Sequence, residues 1–211
     1  MGSLLVLSQA VDPLWTVFTL GLCFLAVGMA FLLSFGKGDD VVRLGHYAPV
    51  IHSLLYVPFI LQMALYLTPS EQVLIMLAPI ASDTGGYYAG SLYGKRKLWP
   101  RVSPKKTWEG YFGGLILCAL ACMLFGMLGN ALDWRMLQAP FWIWLFIGIV
   151  MHHAALSGDL FESALKRTLN VKDSGTLLPG HGGVLDRIDS LLFAIPVFLA
   201  LRHIFRLLPL G

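Results

Sequence analysis

The sequence predicts an all-α fold, a polytopic integral-membrane bundle of about six transmembrane helices, organised as a single domain over residues 1–211. Three observations carry this. Apolar residues make up 57% of the chain and charged ones 13%, against roughly 45–50% and 25% in soluble domains. Six apolar runs approach the roughly 20 residues that a spanning helix needs. Two polar segments, 91–108 and 157–187, hold about half of the charges.

The first run, 14–35, has no Lys or Arg before it. The positive region of a signal peptide is therefore missing, its apolar stretch is longer than a usual signal core, and a retained helix is expected. The second run is 49–67. The third, 73–89, is interrupted by Ser82, Asp83, Thr84, Gly85 and Gly86. The fourth, fifth and sixth are 110–128, 140–156 and 188–208. Several are short, so tilt or partly re-entrant ends are expected. Cys23, Cys118 and Cys122 all fall inside apolar runs and form no CxxC. They read as small buried apolar residues, not a redox pair.

The net charge of +3 is modest, but its placement is informative. Lys95, Arg96, Lys97, Arg101, Lys105 and Lys106 lie between the third and fourth runs with no acid among them. The positive-inside rule puts that loop in the cytoplasm. Threading outward, 130–138 and 68–72 lie outside, and 36–48 and 157–187 lie inside. Arg202 and Arg206 then approach an outside C-terminus, where snorkelling to the interface or a shorter last helix would accommodate them.

Chemistry is expected where the two polar segments meet. If 157–167 continues the fifth helix, Asp159, Ser163, Lys166 and Arg167 share one face at i, i+4, i+7 and i+8, with Glu162 flanking. Ordinary charge pairs on a solvated helix are the plain alternative. Asp186 and Asp189 sit at i and i+3 where the last run begins. Acids cap helix N-termini favourably, yet Asp189 follows Ile188 and precedes an apolar stretch, and ionisable residues at membrane depth point to function. Three carboxylates from two helices, Asp159, Asp186 and Asp189, could hold Mg²⁺, which takes oxygen ligands and keeps waters that a phosphate replaces. Asp83 is the second unusual acid, among small residues that let a helix or ligand approach.

The turn Pro179-Gly180-His181-Gly182-Gly183 could aim backbone N–H groups at phosphate oxygens, although most glycine-rich loops are only turns. His152 and His153 adjoin the end of the fifth run; adjacent histidines point to different sides of a helix, so they read as interface residues. In the basic loop, Pro104 fixes the backbone before Lys105 and Lys106. The loop could orient the protein, bind anionic headgroups or hold polyphosphate.

The segment 163–189, SALKRTLNVKDSGTLLPGHGGVLDRID, resembles the signature of the CDP-diacylglycerol synthases, the phosphatidate cytidylyltransferases. Serine, Lys-Arg, Lys-Asp, Pro-x-His-Gly-Gly and Asp-Arg-x-Asp occur in the family's order and spacing. The upstream ASDTGGYYAGSLYGKRKLWPRVSPKKTWEGYFGG is similar to the family's second conserved region. The resemblance covers roughly residues 78–190; family members are typically longer, with additional N-terminal spans.

It implies a nucleotidyltransferase that joins CTP to phosphatidic acid, releases pyrophosphate and supplies CDP-diacylglycerol to phospholipid synthesis. It also implies a bacterial inner-membrane location with a cytoplasm-facing site, Mg²⁺ with a monovalent cation such as K⁺, and a homodimer, without nucleic acid. Asp159, Asp186 and Asp189 match its metal positions. Lys166, Arg167 and Asp173 match other polar positions, and Arg187 joins them as a catalytic candidate. Asp83, Ser103, Lys105, Lys106, Ser163, Lys172, His181, Gly182 and Gly183 are the expected substrate contacts. A CTP-dependent lipid kinase or a CDP-archaeol-type synthase would share this architecture, and a kinase would release CDP. A cation-coupled transporter would instead spread its charges through the membrane depth.

Overall fold

The computed structural model describes residues 55–134, 138–168, 171, 174–175 and 183–207. The chain divides into two compact units, residues 1–66 and 67–211. In the first, the described part is a helical stretch. A π-helical turn over Leu55–Phe59 leads into α1, Ile60–Met63, and a 3₁₀ turn over Ala64–Tyr66. The run 14–35 lies outside the described residues.

The second unit holds four long helices: α2, Pro69–Tyr93; α3, Trp108–Ala131; α4, Phe141–Thr168; and α5, Leu185–Leu207. Among the described residues, three segments are long and apolar enough to cross a membrane: Trp108–Ala131, Phe141–Thr168 and Leu185–Phe205. The interrupted third run is one unbroken helix. Thr68 and Glu71 start it with a reciprocal capping box, and Pro69 follows the cap where its missing N–H does no harm.

The expectation of an all-α chain needs one correction. The basic loop forms an antiparallel hairpin, β1 Lys97–Trp99 and β2 Ser103–Thr107. Pro100 and Pro104 disfavour a helix there, and the backbone pairs locally instead.

Each of the four long helices packs on the next in sequence, and α2 also touches α4 and α5. Glycine brings α2 and α3 together. A Cβ on Gly85 would lie 2.5 Å from the Gly113 carbonyl oxygen, and one on Gly110 would lie 2.7 Å from that of Gly86. Small residues permit such close approach of helix backbones where both faces are apolar. The core gathers Leu74 and Ile75 from α2, Cys118 and Cys122 from α3, Trp144, Ile147 and Met151 from α4, and Leu192 and Phe198 from α5. The two described cysteines are free and buried, as their apolar setting predicts.

Arg202 takes a partner inside the protein. It donates to the fully buried Glu71 at 2.7 Å, joining the end of α5 to the start of α2. A sequence read helix by helix could not show this partner, 131 residues away.

Candidate active site

The hairpin is fixed at both ends. Thr107 accepts a hydrogen bond from the Gly110 N–H at 3.1 Å and caps α3. One oxygen of Glu109 accepts from the backbone N–H groups of Lys95 and Arg96. At the tip, Arg167 of α4 donates to the Val102 carbonyl at 3.4 Å. The two polar segments therefore meet at one end of the bundle. At 1.5 Å per residue the 28 residues of α4 run about 42 Å, beyond a hydrocarbon core of roughly 30 Å. Its polar last turns can thus stand outside the apolar layer.

Those turns separate into two stripes. Asp159 and Ser163 face the hairpin: Lys106 pairs with one Asp159 oxygen at 2.6 Å, and the Ser163 hydroxyl donates to the other at 3.2 Å. Glu162 and Lys166 turn toward α5. Lys166 lies 2.6 Å from Glu162 and 2.7 Å from Asp186. Glu162 is buried and its second oxygen has no hydrogen-bond partner among the described residues. A buried carboxylate is tolerated only with such a cation close by.

Asp186 is the most heavily engaged acid. Besides Lys166 on one oxygen, its other oxygen accepts from the Ser174 N–H at 2.9 Å, the Ser174 hydroxyl at 2.8 Å and the Gly183 N–H at 2.7 Å. It ties the start of α5 to α4 and to both Ser174 and Gly183. Asp189, one turn on, is buried, and one of its oxygens accepts from the Ser190 N–H. Gly158 brings Asp189 beside Asp159, because a Cβ there would overlap the Asp189 carbonyl.

Asp83 stands between two cavities. The first, about 200 Å³, is lined by Ser82, Asp83, Lys105, Lys106, Thr107, Tyr111 and His152 among others. The second, about 230 Å³, is lined by Asp83, Asp186, Arg187 and Asp189 with Met76, Pro79, Ile80 and Leu191. Met76 and Ile80 are exposed on the outside of the bundle, so apolar surface borders this second cavity. The charged groups that act on Asp83 are Lys106, Asp159 and Asp189.

Among the described residues no group of three or more His, Cys, Asp or Glu is placed to enclose a metal ion. Mg²⁺ is commonly held by one or two carboxylates, with waters and substrate phosphates completing its shell. Asp159 and Asp189, joined by Asp83, supply all-oxygen donors and fit that pattern. Asp186 fits it only through the oxygen now paired with Lys166, since its other oxygen already takes three hydrogen bonds.

A sequence model described as the cytidylyltransferase family matches residues 2–205, almost the whole chain. The chain belongs to the cytidylyltransferase family. The match also reaches well before residue 78, where the motif resemblance began. A protein of Bacillus subtilis named phosphatidate cytidylyltransferase is 43% identical over 125 residues, 59% of this chain and 44% of its own. One of Pseudomonas aeruginosa with the same name is 49% identical over 142 residues, 61% of this chain and 46% of its own. A third, from Staphylococcus saprophyticus, is 45% identical over 139 residues, 64% and 51% of the two chains. The chain spans about half the length of the curated relatives it matches.

In this chain, Asp83, Lys105, Lys106 and Asp159 come together on the hairpin side, and Asp83, Asp186, Arg187 and Asp189 on the α5 side. Lys166 is clamped between two carboxylates instead of standing open to a phosphate. Arg167 and Ser103 lie at the hairpin, away from the residues that line either cavity. Gly183 turns its N–H to Asp186. Lys172, Asp173, His181 and Gly182 lie outside the described residues.

Sequence reasoning did not single out Thr107 or Tyr111, took Ser82 only as an interruption of the third run, read His152 as an interface residue, and gave Glu162 only a flanking place. A signal for His152 existed: Asp159 follows it by seven residues, two helical turns along one face.

Proposed function

We propose that this protein transfers the cytidylyl group of CTP to phosphatidic acid, forming CDP-diacylglycerol and releasing pyrophosphate. The observation that carries this reading is a pair of cavities sharing Asp83, one edged by Lys105 and Lys106 and the other bordered by apolar surface. The names of its relatives and its family support the same reaction. The first cavity suits a soluble nucleotide, the second a lipid headgroup whose acyl chains stay in the bilayer.

The reaction brings two anions together, so repulsion must be offset. A phosphatidate oxygen attacks the α-phosphorus, the bond to the β,γ-pyrophosphate breaks, and charge builds on the leaving oxygen. Lys105 and Lys106 would bind the phosphates and stabilise that charge. Asp159 and Asp189, with Asp186 by exchange with Lys166, would hold Mg²⁺, which when bound polarises phosphoryl oxygens as a Lewis acid. No general base is required, because the attacking oxygen is already an anion. Lys166 and Glu162 would hold Asp186, and with it Ser174 and Gly183, in register with α4. A location in the bacterial inner membrane with the basic hairpin in the cytoplasm agrees with the positive-inside rule and with where CTP is found.

The test is to incubate purified protein in detergent with CTP, phosphatidic acid and Mg²⁺. CDP-diacylglycerol and pyrophosphate should appear together. Release of CDP with a newly phosphorylated lipid would identify a kinase instead, and absence of both products would refute the assignment.

A further inference from the structure

His152 is a histidine that the expected chemistry leaves without a task. It is 2% exposed, two turns below Asp159 on α4. Its Nδ1 lies 2.9 Å from the Ser82 hydroxyl on α2, while its Nε2 is buried with no hydrogen-bond partner among the described residues. The ring packs edge-on against Tyr111 at 5.1 Å and lines the cavity edged by Lys105 and Lys106. Space for it is provided by Gly114, where a Cβ would come within 3.0 Å of the His152 Cε1.

A histidine kept only for packing would be expected to have both nitrogens satisfied, since an unmet buried polar atom is costly. Neighbouring His153 meets that standard. The Ile149 carbonyl can only accept, so His153 Nδ1 carries the proton, and Nε2 accepts from the Tyr111 hydroxyl at 2.7 Å. The contrast marks His152 Nε2 as reserved for something that enters the cavity.

We propose that the inner part of this cavity receives the pyrimidine base of the nucleotide, and that His152, oriented by Ser82, hydrogen-bonds to the edge of that base. The inference rests on the nucleotide reading of the cavity. A polyphosphate belongs with Lys105 and Lys106, because buried charge needs paired cations. The cavity has a further wall beside those lysines. It offers Tyr111 and His152 rings and the Leu156 side chain, surfaces suited to a planar, uncharged heterocycle. The edge of such a base carries both donors and acceptors, so either tautomer of His152 finds a partner. His152 thus becomes a specificity-determining residue that reads the base while the lysines hold the phosphates.

The test measures binding of labelled CTP to the purified full chain in detergent, with inorganic tripolyphosphate as the probe that has phosphates but no base. His152→Ala should weaken CTP about tenfold, the worth of one lost hydrogen bond to a buried group, and leave tripolyphosphate binding unchanged. Ser82→Ala should shift CTP binding in the same direction. His152→Gln, which keeps donor and acceptor atoms, should recover part of the loss. Unaltered CTP affinity in folded Ser82→Ala and His152→Ala would overturn the inference alone. Equal weakening of CTP and tripolyphosphate would overturn it too, as general damage to the cavity. If the wild type binds tripolyphosphate as well as CTP, the base has no pocket here. If it binds neither, the nucleotide reading falls and the inference falls with it.

Discussion

Gly158 decides whether Asp159 and Asp189 can act together. It lies where α4 crosses the start of α5, and a Cβ there would sit 3.0 Å from both the Asp189 carbonyl carbon and the Ser190 Cα, and closer still to the Asp189 oxygen. Carbon atoms rest at about 3.5–4.0 Å, so Gly158→Ala forces α5 back by roughly 0.5–1 Å at Asp189, one of the proposed metal ligands. A shift near 1 Å costs about 100-fold in rate where reacting groups must align. Overpacking of this kind costs about 1–3 kcal/mol of stability. The control is Gly126→Ala, whose Cβ would fall inside the ring of the buried Trp144, on the part of α3 away from the site. Both variants should melt lower, but only Gly158→Ala should lose turnover per folded molecule in the CDP-diacylglycerol assay. Wild-type turnover in folded Gly158→Ala would refute the claim that this crossing aligns the carboxylates.

Four other outcomes follow from the geometry. If Asp159 and Asp189 hold Mg²⁺, Asp159→Asn and Asp189→Asn should lose most activity with little change in melting, and raised Mg²⁺ should restore part of it; full activity in both would refute the metal role. Asp186→Asn should lower the melting temperature more than either, because the charge bound by Lys166, Ser174 and Gly183 disappears. Single cysteines at Ser103 and Ser174 in a cysteine-free background should react with an impermeant reagent from the same side of the membrane, and labelling from opposite sides would separate the hairpin from the α4–α5 segment. Glu71→Gln should cost about 3–5 kcal/mol by breaking the buried Glu71–Arg202 pair, yet turnover of the folded protein should stay unchanged because the pair joins the start of α2 to the end of α5; reduced turnover at equal folding would tie that end of the bundle to the chemistry.

Composition and the length of the apolar runs determined the helical membrane class, because a span must be apolar over a fixed length wherever it occurs. The order of charged residues in 157–189 likewise pointed to the site, since helical spacing places Asp159 and Ser163 on one face without any tertiary information. Which partners those charges take was decided only by the folded chain. Lys166 is seven residues from Asp159 and suits the same stripe, but α5 supplies Asp186 and draws it the other way. Lys106 reaches Asp159 because a hairpin, not a helix, carries it across the end of α4. His152 looked like half of an interfacial pair until α2 brought Ser82 to its ring. Spacing along one element follows from backbone geometry, whereas pairing between elements follows from packing, and here that packing depends on glycines whose missing side chains are visible in the sequence only as gaps.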